Sequence, residues 1–197
     1  MRDLWYGDNR DLVKWGVLLT LVERFAAKHV LQVLYYRPTQ WTQLEIDGES
    51  VKLPDAVVAH FRQATTASLI QCPAPVELIA DVVADRKEYQ RIVIDRIRAR
   101  TQSPGVVLLD PDTGLGSGSP GPEHVLNDEL TELWKHLRVG DVLLLYQHQT
   151  NRRGLPWIEP KKAQFERALG VVPGGAKIAQ AQSIARDVAL FYLQKVD

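Results

Sequence analysis

Residues 106–147 read VVLLDPDTGLGSGSPGPEHVLNDELTELWKHLRVGDVLLLYQ, and this stretch decides the fold. Val106-Val107-Leu108-Leu109-Asp110 is a short, mostly apolar run that reads as a buried strand, and so does the run over 141–147, which follows a stop at Gly140. Between them, a helix of about 122–138 is predicted to start at Pro122, since proline fits the first helical turn. Strand, helix, strand is a βαβ unit. Its strands are apolar throughout instead of alternating, as happens when helices cover both faces of a parallel sheet. The expected fold is therefore α/β with a mainly parallel sheet.

Working outward, Asp8 or Asn9 can cap a helix of about 10–28, in which Leu12, Trp15, Leu18, Leu19, Val22 and Phe25 recur at helical spacing. A buried strand over 30–36 is stopped by Arg37-Pro38. Asp47-Gly48 suits the positive φ angles of a tight hairpin turn between Leu44-Glu45-Ile46 and Ser50-Val51-Lys52-Leu53. Residues 54–63 read as a short helix, and 76–83 fit either strand or helix. Asp85 and Glu88 make a capping box for a helix that runs to about 101. A helix of about 160–169 is stopped by Gly170, and the runs Ala176–Gln182 and Val188–Gln194 are expected to pair antiparallel. Residues 1–197 are read as a single α/β domain, with an inserted hairpin and helix region at about 38–75.

Composition narrows the function. Twenty-four Lys and Arg balance 24 Asp and Glu, so the overall basic excess that usually accompanies nucleic-acid binding is absent and only a local patch could serve it. The lone cysteine, Cys72, has no second cysteine for a disulfide, a CxxC pair or a Cys-based zinc site, which fits a reducing, cytoplasmic compartment. Met1-Arg2-Asp3-Leu4-Trp5 does not open a secretory signal, and apolar runs such as Val142-Leu143-Leu144-Leu145-Tyr146 are far shorter than the about 20 residues of a membrane helix. No membrane partner is expected.

Ligands of open α/β sheets bind outside the carboxyl ends of the strands. Two strands here end in polar clusters, Asp110-Pro111-Asp112-Thr113-Gly114 and Tyr146-Gln147-His148, the second followed by Arg152 and Arg153. A third cluster, Gly7-Asp8-Asn9-Arg10-Asp11-Leu12-Val13-Lys14, opens the first helix, where Asp8 caps and Asp11 supports the dipole. Asp110, Asp112 and His148 are the catalytic candidates, with Asp8, Lys14, Tyr146, Gln147 and Arg152 as substrate-binding candidates. Asp8, Lys14, Asp110, Asp112 and His148 are expected to converge on one pocket, for nucleic acid or a phosphorylated small molecule. In a second reading, Asp110, Asp112 and His148 are hard ligands for Mg²⁺ or Mn²⁺, and the chain is a metal-dependent phosphodiesterase or nuclease. In a third, it is a non-catalytic binding module.

Taken in order, the clusters carry a resemblance. Gly7-Asp8-Asn9-Arg10-Asp11-Leu12-Val13-Lys14-Trp15 resembles the Gly-Asn-His-Ala-Asp-Val-Leu-Lys-His opening of bacterial adenine-N6 methyltransferases acting on large-subunit ribosomal RNA. Val107-Leu108-Leu109-Asp110-Pro111-Asp112 is similar to their hydrophobic-Asp-Pro-Pro-aromatic motif. The pattern of Gly-Asp…Asp…Lys, Asp-Pro-Asp-x-Gly and Tyr-Gln-His also resembles a bacterial family of unassigned function. The resemblance implies a Rossmann-like three-layer sandwich with a C-terminal antiparallel strand pair, a methyltransferase-like activity on nucleic acid, and S-adenosylmethionine as cofactor. In the family motif the carboxylate and a proline carbonyl accept hydrogen bonds from the target amine, while the aromatic ring stacks on the base. Here Asp112 and Thr113 stand where proline and the aromatic would be, and Tyr146 is a candidate for stacking. The first strand ends Leu34-Tyr35-Tyr36-Arg37-Pro38 without the glycine turn that lets a cofactor approach the backbone, which predicts weakened or absent S-adenosylmethionine binding.

Overall fold

The structure, a computed structural model, describes residues 7–37, 43–58, 71–101, 104–116, 121–149, 151, 154 and 156–197. The parallel part of the sheet consists of β1 (His29–Val33), β4 (Val76–Ile79), β5 (Gly105–Leu109) and β8 (Val142–His148). They lie in the order β4-β1-β5-β8, all parallel, and β1, β5 and β8 are in register through Val30, Val106 and Val142. Beyond β8 the sheet continues with β10 (Val188–Gln194) and then β9 (Lys177–Ala179), and β10 runs antiparallel to both neighbours. β10 is thus inserted between β8 and β9.

Side chains of the parallel strands alternate between two cores. Leu31, Val33, Val107, Leu109, Leu143 and Leu145 face one of them, packed by α2 (Arg86–Ala99), α3 (Asn127–His136) and α4 (Ile158–Leu169) through Val93, Ile97, Leu130, Leu133 and Phe165. Val30, Val106, Leu108, Val142, Leu144 and Tyr146 face the other, packed by α1 (Asn9–Arg24) through Val13, Leu18, Leu21 and Val22. Both faces are covered, which is why the strands lack polar alternation. The result is a Rossmann-like three-layer sandwich with a mainly parallel sheet.

Several boundaries differ from the sequence reading. α1 stops at Arg24 because Ala26 takes a left-handed conformation (φ 48°) and turns the chain so that the Lys28 N–H meets the Pro104 carbonyl. β1 ends at Val33, three residues early. Of residues 76–83, ambiguous by pattern, only Val76–Ile79 form β4, because β1 offers an edge to pair with. The helix expected from Pro122 begins at Asn127, since Gly114–Leu115 (β6) and His124–Val125 (β7) first make a small parallel pair. Asp85 caps α2 by accepting from the Lys87 and Glu88 N–H groups, but the Glu88 carboxylate turns to Arg91 instead of completing a capping box.

The hairpin falls where Asp47-Gly48 placed it. β2 (Gln43–Ile46) and β3 (Glu49–Lys52) flank a turn with φ 54° and 85°, as a two-residue loop of positive φ requires. It forms its own two-stranded sheet, exposed along both strands. Residues 55–58 begin the expected helix, while 59–63 lie outside the described residues.

At the amino ends of β5 and β8, Asp141 is fully buried and accepts from Arg100 Nη2 (2.7 Å), the Gly105 N–H (2.8 Å) and the Arg138 N–H (3.0 Å). One carboxylate therefore ties together the end of α2 and the starts of two central strands. No described helix is long and apolar enough to cross a membrane.

Candidate functional site

The alternation that sorts the core also sorts the polar residues at the carboxyl end of the sheet. Gln32 of β1, Asp110 just past β5, and Tyr146 and His148 of β8 share parity with the residues that face α1, and their partners lie on or beside that helix. Lys14 is the centre of the group. Its ammonium lies 2.6 Å from Asp11 Oδ1 and 2.8 Å from Asp110 Oδ2, and 5.7 Å from each of the Trp15 and Tyr146 ring centres. Gln32 Nε2 donates to the same Asp110 Oδ2 at 2.9 Å, and the Gly7 N–H donates to Asp11 Oδ2 at 2.7 Å. Lys14 and Asp110 are each 1% exposed, Asp11 3% and Gln32 0%.

Burial alone would drive the Lys14 ammonium toward neutrality, but Asp110 and Asp11 outweigh it and raise its pKa above the ordinary value. Burial raises Asp11, with Lys14 pulling the other way. It raises Tyr146 well above its ordinary range, and the Asp110 charge adds to that; Tyr35 and Tyr89 are raised by burial too. A group whose folded-state pKa is raised contributes stability that is present below its unfolded pKa and lost as pH rises through the folded value. For these tyrosines and Lys14 the unfolded values are 10.0 and 10.5. The urea midpoint should therefore be insensitive to these groups at neutral pH and fall steadily above about pH 10, less steeply in Tyr146→Phe. An equally steep fall in that variant would contradict the assignment.

A second set adjoins the first through α1. Asp8 caps the helix, accepting from the Arg10 and Asp11 N–H groups, and its carboxylate pairs with the Arg10 guanidinium. Arg10 reaches Asp187 Oδ2 at 2.6 Å, and His148 Nε2 lies 3.1 Å from the same oxygen. Burial pushes Asp187 up, but the Arg10 hydrogen bond and charge outweigh it and hold the carboxyl below its ordinary range.

The other predicted residues turn elsewhere. Asp112 pairs with Arg37, which also reaches Glu123 at 3.2 Å. Gln147 has the opposite parity to Tyr146, and it holds β6 by accepting from the Leu115 N–H and donating to the Thr113 carbonyl. Arg152 lies outside the described residues. The structure thus brings Lys14 to Asp110, and Asp8 through Arg10 and Asp187 to His148, while Asp112 faces the segment after β1. Asp110 is engaged by Lys14 and Gln32 and Asp112 by Arg37, and no group of three or more His, Cys, Asp or Glu among the described residues is arranged to hold a metal ion. The Mg²⁺ or Mn²⁺ reading therefore has no ligand set among these residues. Sequence reasoning missed Gln32 and Asp187, and it took Asp11 only for a dipole partner.

The turn after β1 lacks glycine, yet Tyr35 adopts the left-handed conformation, φ 48°, that a glycine there would take easily. Its side chain is buried against Tyr89 and its N–H is bonded to Tyr89 Oη at 3.0 Å. A non-glycine residue held this way costs on the order of 1–3 kcal/mol, and such strain clusters at functional sites. On the neighbouring strand, Asp81 is exposed just past the carboxyl end of β4.

No protein-family model and no curated protein matches this chain. Among solved structures it is similar to the crystal structure of a "putative methyltransferase" from Thermobifida fusca YX, with 12% sequence identity and a TM-score of 0.43 over 96% of this chain and 81% of that one.

Proposed function

We propose that this chain is a methyltransferase-like enzyme with its reaction centre at the carboxyl ends of β1, β4 and β5, using S-adenosylmethionine and acting on an amine of a nucleic-acid base. The observation that carries the reading is the buried Lys14–Asp11–Asp110–Gln32 network. Removing three ionisable groups from water costs several kcal/mol each before pairing, and apolar packing would fill the same space more cheaply. Such a network is better explained by a ligand site than by the needs of the fold. Its two motifs are also the two that resemble the ribosomal RNA methyltransferases, and the reversed β10 is the terminal strand arrangement which that resemblance implies.

The residues present fit the cofactor on two counts. The left-handed turn at Tyr35 keeps the backbone path of a glycine turn, and Asp81 stands just past the carboxyl end of β4, the strand beside β1, where an acid can accept from ribose hydroxyls. S-adenosylmethionine, when bound, supplies an electrophilic methyl group. The chain's own part is to hold the acceptor. Lys14 and Gln32 both donate to Asp110 Oδ2, which orients the carboxylate and leaves Oδ1 to accept from the amine. Tyr146, packed over Lys14 on the same face, offers a ring for the base to stack on. His148 and Arg10 edge this face.

Calorimetric titration with S-adenosylmethionine tests the reading. Tyrosine in place of glycine should limit the affinity to about 10–100 μM, and Asp81→Asn, an exposed change that leaves the fold alone, should weaken it about tenfold, the equivalent of losing one charged hydrogen bond. No heat of binding to the folded wild-type protein at about millimolar cofactor would overturn the proposal.

A further inference from the structure

The opposite end of the sheet carries a second candidate site. A cavity of about 370 Å³ opens beside the amino ends of β1 and β5, lined by Lys28, His29, Glu77, Arg96 and Arg100 with Pro75, Ala99 and Thr101. Three permanent cations face one carboxylate. The Arg100 side chain is only 3% exposed, and its guanidinium is half used: Nη2 holds Asp141 and Nε reaches the Ile97 carbonyl, while Nη1 is buried without a hydrogen-bond partner among the described residues. His29 is similarly placed, with Nε2 3.4 Å from Glu77 Oε2 and Nδ1 buried without a hydrogen-bond partner among the described residues. The guanidinium position is built into the chain. A Cβ at residue 105 would lie 2.6 Å from Nη1, so glycine at the start of β5 is what admits it.

A buried donor without an acceptor costs on the order of 1–3 kcal/mol, and an arginine fork in a cationic pocket matches the oxygens of a phosphate. We propose that this cavity binds the phosphate group of a small phosphorylated molecule, with Arg100 Nη1 donating from the floor and Lys28 and Arg96 closing over the charge from the rim. The volume exceeds that of a bare ion and falls at the small end of ordinary ligand pockets. Glu77, which pairs with Arg96 at 3.0 Å and lies beside His29, keeps the Arg96 guanidinium at the mouth and disfavours a ligand that carries negative charge beyond its phosphate. The site is independent of the carboxyl-end reading, because it lies at the other end of the strands.

The test is titration with inorganic phosphate and with ribose 5-phosphate at constant ionic strength, followed by calorimetry and by the Arg100 Nε–H and Gly105 amide NMR signals. Both ligands should shift both signals, the sugar phosphate binding more tightly. Lys28→Gln and Arg96→Gln, on exposed residues, should each weaken binding about tenfold while leaving the unfolding midpoint unchanged. Equal affinity in these variants, shifts reproduced by sodium chloride, or preferential binding of a single-stranded oligonucleotide over ribose 5-phosphate would each overturn the assignment. Arg100→Lys keeps a charge for Asp141 while removing the fork, and unaltered phosphate affinity in that variant would overturn it too.

Discussion

Replacing Lys14 with methionine is expected to lower the free energy of unfolding by about 3–5 kcal/mol, because it leaves the Asp11 and Asp110 carboxylates buried without their shared cation. Methionine is close in length, so lost packing contributes little. The effect should be electrostatic, and a double-mutant cycle separates it. Asp110→Asn removes one stranded charge, so Lys14→Met with Asp110→Asn should be less damaging than the two changes summed, with a coupling of about 1–3 kcal/mol in urea unfolding. Additive losses would mean that the pair is not a unit. In the same proteins methyl transfer to the acceptor amine should fall more than S-adenosylmethionine affinity, since the carboxylate that Lys14 orients is the one proposed to hold the acceptor.

The second large effect is expected at the other end of the sheet. Asp141→Ala removes the acceptor of three hydrogen bonds and strands the buried Arg100 guanidinium, so a loss of about 3–5 kcal/mol is expected, against well under 1 kcal/mol for breaking an exposed pair such as Arg91–Glu88. Hydrogen exchange at the Gly105 amide, which donates to this carboxylate, should accelerate first. A loss below about 1 kcal/mol in urea unfolding would show that water replaces the carboxylate.

The layered fold could be read from the sequence because its signal is local. β5 and most of β8 are apolar runs, each helix is a periodic stripe, and Asp47-Gly48 has one comfortable turn to make. The misses occur where an element depends on a distant partner. β4 is a strand because the edge of β1 is open to it, and β6 with β7 takes residues that would otherwise lengthen α3. The Lys14–Asp110 pairing was anticipated only as convergence, from motifs 96 residues apart. A stronger signal was available in strand parity. Val106, Leu108 and Asp110 share a face, as do Val142, Leu144, Tyr146 and His148, so Asp110, Tyr146 and His148 belong together and Gln147 does not. The same alternation marks Gln32 as a polar residue in a strand with no solvent face. Asp112 escapes the rule because Pro111 ends the pleat, and its partner Arg37 comes from a turn with no periodicity to read.

The insertion of β10 between β8 and β9 also bears on how the chain is made. β10 is synthesised after every other strand of the sheet, yet it occupies an interior position, with neighbours on both sides. Until it emerges from the ribosome, β8 presents a seven-residue, largely apolar edge with unpaired backbone groups, and β9 has nothing to pair with. Co-translational folding can settle β1, β4, β5 and β8 but cannot close the sheet, so the nascent protein passes through a stage in which its best-formed strand is also its most adhesive surface.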